Sequence, residues 1–295
     1  MTEITDKEMQ ETLSRSGYLL EARIDDVLTQ HGYAVDANIG YPDPAEGKTR
    51  ELDARAMNGS ILVKDSEPLH LVWTTLLIEC WNNAQPVVLL TKERPVPMIQ
   101  DDVPCIGVPL TVEMDTLQSF LKLQDFHHYC DSHVATQFCS FQQKKGDKKG
   151  EWMASQEEAL WSPIKKLGDA LQHDARELES TWYWGGDEDE PINLTLYYCA
   201  LVLQGRLVEV DARSPKATPR EIRRGLLRRK LSWHGWNQKT QDYFIDVVTE
   251  NEFPAYLGVL ERERAEFKRR AVEALADLQR EANAARDEKK RKPRQ

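Results

Sequence analysis

The sequence predicts an α/β fold. Three observations carry that reading. Helical and strand periodicities alternate over residues 1 to about 115. The apolar run Leu71 to Cys80 has the length and β-branched content of a buried central strand. Pro254 to Glu288 reads as one long charged helix. Of the 295 residues, 40% are hydrophobic and 30% charged, which supports a real core and excludes a wholly disordered chain.

The elements follow in order. From Ser16 to Gln30, Leu20, Ile24, Val27 and Leu28 recur at helical spacing, and Gly32 supplies a stop. Tyr33 to Ile39 is expected as a first strand, and Tyr41 to Gly47 as a turn. Glu51 to Met57 alternates charged and apolar residues, as a strand with one polar face does. Leu71 to Cys80 follows, then a turn at Asn82 to Pro86 and an extended piece at Val87 to Leu90. Residues 116 to 190 are expected to be mostly helical, with loops at Lys144–Gly150 and Gly185–Pro191. Leu194 to Leu203, Gln204-Gly205 and Arg206 to Asp211 read as a β-hairpin, and Tyr243 to Val248 as a further strand. The last helix carries a thin stripe of Leu257, Leu260, Phe267, Ala271, Ala274 and Leu278, able to dock on the domain or pair with another helix. The basic tail Lys289 to Gln295 is expected to be disordered.

Composition excludes several classes. The longest apolar run, Leu194 to Leu203, is too short to cross a bilayer, and the polar, acidic N-terminus is unlike a signal peptide. An intracellular, cytoplasmic protein is expected. Five cysteines with no CxxC pair argue against structural disulfides. No GxxxxGK[ST] or GxGxxG occurs, so an NTPase or dinucleotide enzyme has no support.

Three acids stand out by position. Glu21 lies on or beside the buried face of its helix, Asp53 is in mid-strand, and Glu79 closes an uncharged run. A carboxylate aimed into a sheet–helix interface costs several kcal/mol without compensation, and a divalent cation is a common compensation. Taken alone, each acid is more simply a surface or salt-bridged residue, with Arg55 a ready partner for Asp53. Together, on helix, strand and strand, they make an oxygen-rich site for Mg²⁺.

The helix carrying Glu21, the segment Arg50-Glu-Leu-Asp53-Ala-Arg-Ala56 and the segment Leu76-Leu-Ile-Glu79-Cys-Trp81-Asn-Asn-Ala-Gln85-Pro-Val-Val88 together resemble the PD-(D/E)XK nuclease superfamily. The resemblance covers about residues 15 to 92. It implies a restriction-endonuclease-like mixed central sheet flanked by helices, with a C-terminal extension and a long terminal helix. It also implies Asp53 and Glu79 as ligands of Mg²⁺ (or Mn²⁺), Glu21 as an accessory acid, and cleavage of DNA in restriction, repair or defence. The family's lysine falls at Trp81 here, and an indole has one donor and no charge. Three readings stay open: the lysine function has moved, with Lys92 or Arg55 as candidates; Gln85 orients the water; or catalysis is lost and the fold binds nucleic acid or a protein partner. On this reading 1–115 is the nuclease-like core and 116–190 a mainly helical insertion. Residues 191–253 form a hairpin, basic helix and strand that extend the core or make a second lobe. Residues 254–295 are a long charged helix and tail, a route to a homo-oligomer or a companion subunit.

Two further signals complete the reading. His127, His128, Cys130, His133 and Cys139 are zinc-type donors, but their spacing matches no closed zinc motif, and the stretch reads more simply as a helix with aromatic packing. Arg220, Arg223, Arg224, Arg228, Arg229 and Lys230, against Glu221, form a dense basic segment. On a helix Arg220, Arg224 and Arg228 would align, with Trp233, His234 and Trp236 following, which suits a DNA phosphate backbone as well as a solvated helix face. The chain as a whole carries a net charge of -10. Nucleic-acid binding is therefore expected to be confined to a narrow basic strip.

Overall fold

The computed structural model describes residues 3–43, 47–63, 69–93, 105–108, 119–130, 133–144, 150–155, 158–181, 192–214, 216–232 and 240–291. Four helices are described: α1 (Asp6–Ser16), α2 (Tyr18–Gln30), α3 (Glu158–Thr181) and α4 (Phe253–Arg291). The strands in the first half are β1 (Ala34–Pro42), β2 (Thr49–Ile61), β3 (Leu71–Trp81), β4 (Val87–Glu93), β5 (Cys105–Val108), β6 (His133–Gln143) and β7 (Trp152–Ser155). Those in the second are β8 (Asn193–Leu203), β9 (Leu207–Asp211), β10 (Arg220–Ile222), β11 (Arg224–Ser232) and β12 (Thr240–Thr249). They form one mixed sheet in the order β1-β2-β3-β8-β12-β11-β6-β4-β9-β10, with β5 on β8 and β7 on β6. The α/β class is thus as expected.

The centre of the sheet is the parallel pair β3–β8, in register from Leu71 opposite Asn193 to Trp81 opposite Leu203. Every residue of β8 is buried, which its near-continuous apolar sequence requires of a strand covered on both faces. One apolar layer gathers α2, α4 and residues such as Ala54, Leu76 and Tyr198; the other gathers α3 with Leu77, Cys199 and Leu201. Each contribution follows from the alternation of successive strand residues between faces. The α4 stripe is buried in this core, with Leu257, Leu260, Phe267 and Ala271 fully covered, so the helix docks on its own domain. Among the described residues Cys80, Cys130, Cys139 and Cys199 are free thiols.

Three expectations are corrected. First, β8 and β9 are separate strands but not a hairpin: β8 pairs with β3, β5 and β12, and β9 with β4 and β10. The Gln204-Gly205 turn is pinned sideways to the Asn83 turn. The Gly205 N–H donates to Asn83 Oδ1 at 2.8 Å, and a Cβ at 205 would lie 2.3 Å from the Asn83 carbonyl. This directs the chain onto β4 instead of back onto β8. Second, the 116–190 segment, though helical over most of its described residues, also supplies the sheet strands β6 and β7, and β6 pairs with both β4 and β11. Third, the basic 220–230 segment is strand, not helix. Leu226 and Leu227 are adjacent and both buried, which a strand inside a two-faced layer satisfies, and nine residues of β11 pair with β12. The sheet therefore runs through the first three expected segments. The 145–149, 182–191, 233–239 and 292–295 stretches, with Trp233, His234, Trp236 and the end of the tail, lie outside the described residues.

A buried ionic network ties α4 to the sheet. His128 sits in a 3₁₀ turn (His128–Cys130), not the expected helix. Its Nδ1 lies 2.8 Å from Glu263 of α4, and its Nε2 lies 2.9 Å from Asp246 of β12. The Tyr198 hydroxyl donates to Glu263 and the Tyr256 hydroxyl to Asp246. Burial opposes the imidazolium, but Asp246 and Glu263 outweigh it and lift His128 to about 10. Burial likewise pushes Glu263 up, yet the imidazoles draw it down to about 2. Burial holds neighbouring His127 down to about 4, so at neutral pH His128 supplies the attraction.

Removing one partner of such a network leaves uncompensated buried charge, at a cost of roughly 3–5 kcal/mol. His128→Gln is expected to lower the urea-unfolding free energy by about that amount. The sign with pH follows. The raised His128 value makes its contribution full below about pH 6.5 and lost as pH rises through about 10. The depressed Glu263 value makes its contribution full above about 4.5 and lost as pH falls through about 2. The wild type minus His128→Gln difference should therefore peak between these limits; a difference independent of pH would contradict the assignment.

Candidate active site at the end of the central strands

The paired register of β2 with β3 runs from Ile61 opposite Leu71 to Ala54 opposite Ile78. Asp53 stands just beyond it, and its carboxylate takes the place of a ladder partner: Asp53 Oδ2 accepts the Cys80 N–H at 2.7 Å. Glu79, one residue past the last pair on β3, points toward α3 and is 3% exposed. There the ammonium of Lys166, from the third turn of α3, donates to both carboxylate oxygens at 3.1 and 2.9 Å. The Tyr41 hydroxyl donates to the Lys166 carbonyl at 3.0 Å and fastens α3 to β1 at this level.

Glu21 approaches from the opposite helix. Gly17, at φ +91, closes α1 and opens α2, a conformation that favours glycine. The break places Tyr18 and Glu21 in the first turn of α2, at the wall of a cleft of about 210 Å³ that also contains Asp25, Asn38, Asp53 and Cys80. Asp53 acts on both Glu21 and Glu79. Burial raises the Glu21 carboxyl, Asp53 adds to it, and Lys166 opposes. Burial raises Asp53, against the Cys80 N–H and Lys166. Burial and then Asp53 push Glu79 up to about 8, even with Lys166 pulling down.

The acids therefore share one neighbourhood, but they do not close into a compact cage. Among the described residues, the three-donor group whose ligand atoms lie within 4.8 Å of one another is His127, His128 and Glu263. Three of the group's four imidazole nitrogens are already engaged. Both His128 nitrogens face carboxylates, and His127 Nδ1 accepts the Tyr129 N–H at 3.1 Å. Neutral His127 then carries its proton on Nε2, which has no hydrogen-bond partner among the described residues, so a metal here would have to displace that proton and the carboxylate bonds of His128. Of the other zinc-type donors, Cys130 ends the 3₁₀ turn, and His133 and Cys139 stand on β6, opposite Glu93 and Val88.

The remaining candidates separate clearly. Lys92 is exposed near the end of β4, five strands from β3 along the sheet path. Arg55 pairs with Asp174 and Asp36, at 3.5 and 3.4 Å, not with Asp53. Gln85 lies in the β3–β4 turn, where its carbonyl accepts from Asn83; among the described residues no hydrogen bond joins its side chain to Asp53 or Glu79. Trp81 packs against the apolar layer under α3. The cation that reaches Glu79 is Lys166, which sequence reading missed. The available signal was faint: a Lys-Lys pair inside an amphipathic helix.

The basic segment does not form one helical stripe either. Arg220 lies on β10 and pairs with Glu209; Arg223 reaches Glu252 at 3.9 Å, and Arg228 pairs with Asp242. Arg224 lies over the Tyr256 ring and Arg229 over Trp161, while Lys230 is exposed. Strand geometry sends alternate residues to opposite faces, which splits the cluster.

Searches against protein-family models, curated proteins and solved structures found no match to this chain. No helix among the described residues is long and apolar enough to cross a membrane.

The raised Glu79 value has a thermodynamic consequence. Protonated Glu79 contributes stability that is full below about pH 4.5 and lost as pH rises through about 8. Glu79→Gln, which cannot ionise, should remove that decline and exceed the wild type by about 3–5 kcal/mol above pH 8. Denaturant titrations from pH 5 to 8.5 check this; parallel curves for the two proteins would refute a high Glu79 value.

Proposed function

We propose that the chain is a divalent-metal-dependent nuclease that hydrolyses DNA phosphodiester bonds. The observation that carries this reading is the Glu79–Lys166 ion pair beside Asp53, where the β2–β3 ladder ends. It assembles two carboxylates and one ammonium group, with Lys166 in the electrostatic role that Trp81 lacks.

The donor set fits a hard cation. Mg²⁺ is commonly held by one or two carboxylates with its remaining positions filled by water and substrate phosphate, so a three-acid cage is not needed. Asp53 and Glu79 would hold the ion, and Glu21 stands nearby as the accessory acid. Such an ion, when bound, supplies Lewis-acid stabilisation and acidifies water. Binding would also offset the Asp53–Glu79 repulsion that lifts Glu79. Lys166 then has donors to offer a phosphate oxygen or the attacking water, and Tyr41 keeps its helix turn in place.

Ion binding to a carboxylate titrating near pH 8 must release a proton. Mn²⁺ affinity, read by calorimetry, should climb from pH 6 to 8 and level off above. With Mg²⁺ or Mn²⁺, wild type should cleave DNA, and Asp53→Asn, Glu79→Gln and Lys166→Met should each lose about a hundredfold or more. Lys92→Met should keep full activity. Wild-type protein that cleaves neither linear, circular nor single-stranded DNA with either ion would sink the proposal.

A further inference from the structure

We infer that Trp161 and Arg229 form a subsite for an unpaired nucleotide, so that the form of substrate this surface takes is single-stranded DNA. The inference deepens the nuclease reading and rests on it for the subsite's purpose.

The indole of Trp161, near the start of α3, is 39% exposed. It packs on buried Phe138 of β6 with ring centroids 6.2 Å apart and 13° between planes. The Arg229 guanidinium carbon lies 4.4 Å from the Trp161 centroid and 5.6 Å from that of Phe138. Fixed by these contacts, the indole is a rigid aromatic surface beside a cation. Among the described residues no carboxylate pairs with Arg229, whereas Arg220, Arg223 and Arg228 each have one. In a chain of net charge -10, an unneutralised, half-buried guanidinium beside an exposed ring is a specific place for a base and its phosphate.

Lys166 is five residues beyond Trp161 on α3, about 7.5 Å along the helix axis and turned about 140° around it. Lys165, at i+4 from Trp161, is half-exposed and bonded to Asp169 and Asp43. Trp161 thus faces β6 and β11 on one flank of α3 and Lys166 faces β3 on the other, so a nucleotide on the indole lies across the helix from the Glu79–Lys166 pair. Duplex bases are stacked inward and cannot reach such a ring; an unpaired base can, and stacking is tolerant of sequence because every base has a π-face.

The test reads binding without cleavage. Full-length protein in EDTA is titrated against fluorescein-labelled oligothymidylate and against a duplex of equal length, by anisotropy. Wild type should bind the single strand more tightly. Trp161→Ala should weaken that binding about tenfold or more, with Trp161→Phe staying within about threefold. Arg229→Gln should shallow the salt dependence by about 0.7 unit of log K against log salt. Thermal melts of the Trp161→Phe protein confirm that the fold is kept. Equal affinity for both DNA forms, or Trp161→Ala binding within twofold of wild type, overturns the inference; Mg²⁺-dependent cleavage surviving in that case leaves the nuclease reading standing. Trp161-dependent single-strand binding in a protein that never cleaves upholds the subsite and defeats the nuclease reading.

Discussion

A carboxylate at the end of a fully covered strand must be met by a cation or a proton, and that constraint organises this protein. The β3–β8 pair is apolar because helices cover both faces of the sheet there. Glu79 ends that strand while still 3% exposed. Lys166 meets it from α3, and burial followed by Asp53, where the ladder stops, raises its carboxyl. The burial that gives the sheet its stability thus also creates the strained electrostatics of the candidate site.

The same rule operates on the other face with the opposite outcome. His128 is enclosed between Asp246 and Glu263, and two tyrosine hydroxyls occupy further carboxylate oxygens. The His128 ring and both tyrosine hydroxyls there are satisfied by the two carboxylates, which suits a network that holds α4 on the sheet. At the Glu79 site the balance is incomplete: two acids face one ammonium group beside a cleft. The contrast explains why a tightly grouped donor cluster reads as structural while a looser one reads as reactive.

Much of this was legible in the sequence. The strands containing Asp53 and Glu79, the helix bearing Glu21 and the α4 stripe announce themselves through local periodicity, and they stand where the periodicity puts them. The electrostatic kinship of the three acids was also foreseen, though not their looser spacing. The basic segment misled, because arginines at helical intervals are equally compatible with a strand whose pairing partner, β12, comes later in the chain. The β8–β9 hairpin failed for a related reason: a two-residue Gln-Gly turn permits a hairpin, but the Asn83 contact redirects it.

Local pattern by itself determined the α/β class, most of the strands and the three acids, since side-chain period and burial are properties of neighbouring residues. Tertiary structure decided the counter-ion. Lys166 is 87 residues from Glu79, and only the packing of α3 across β3 brings them together. The sequence could report a carboxylate at the end of an apolar strand. It could not report that Lys166 meets it, because a charge's partner is fixed by distance in space, and no local pattern encodes that distance.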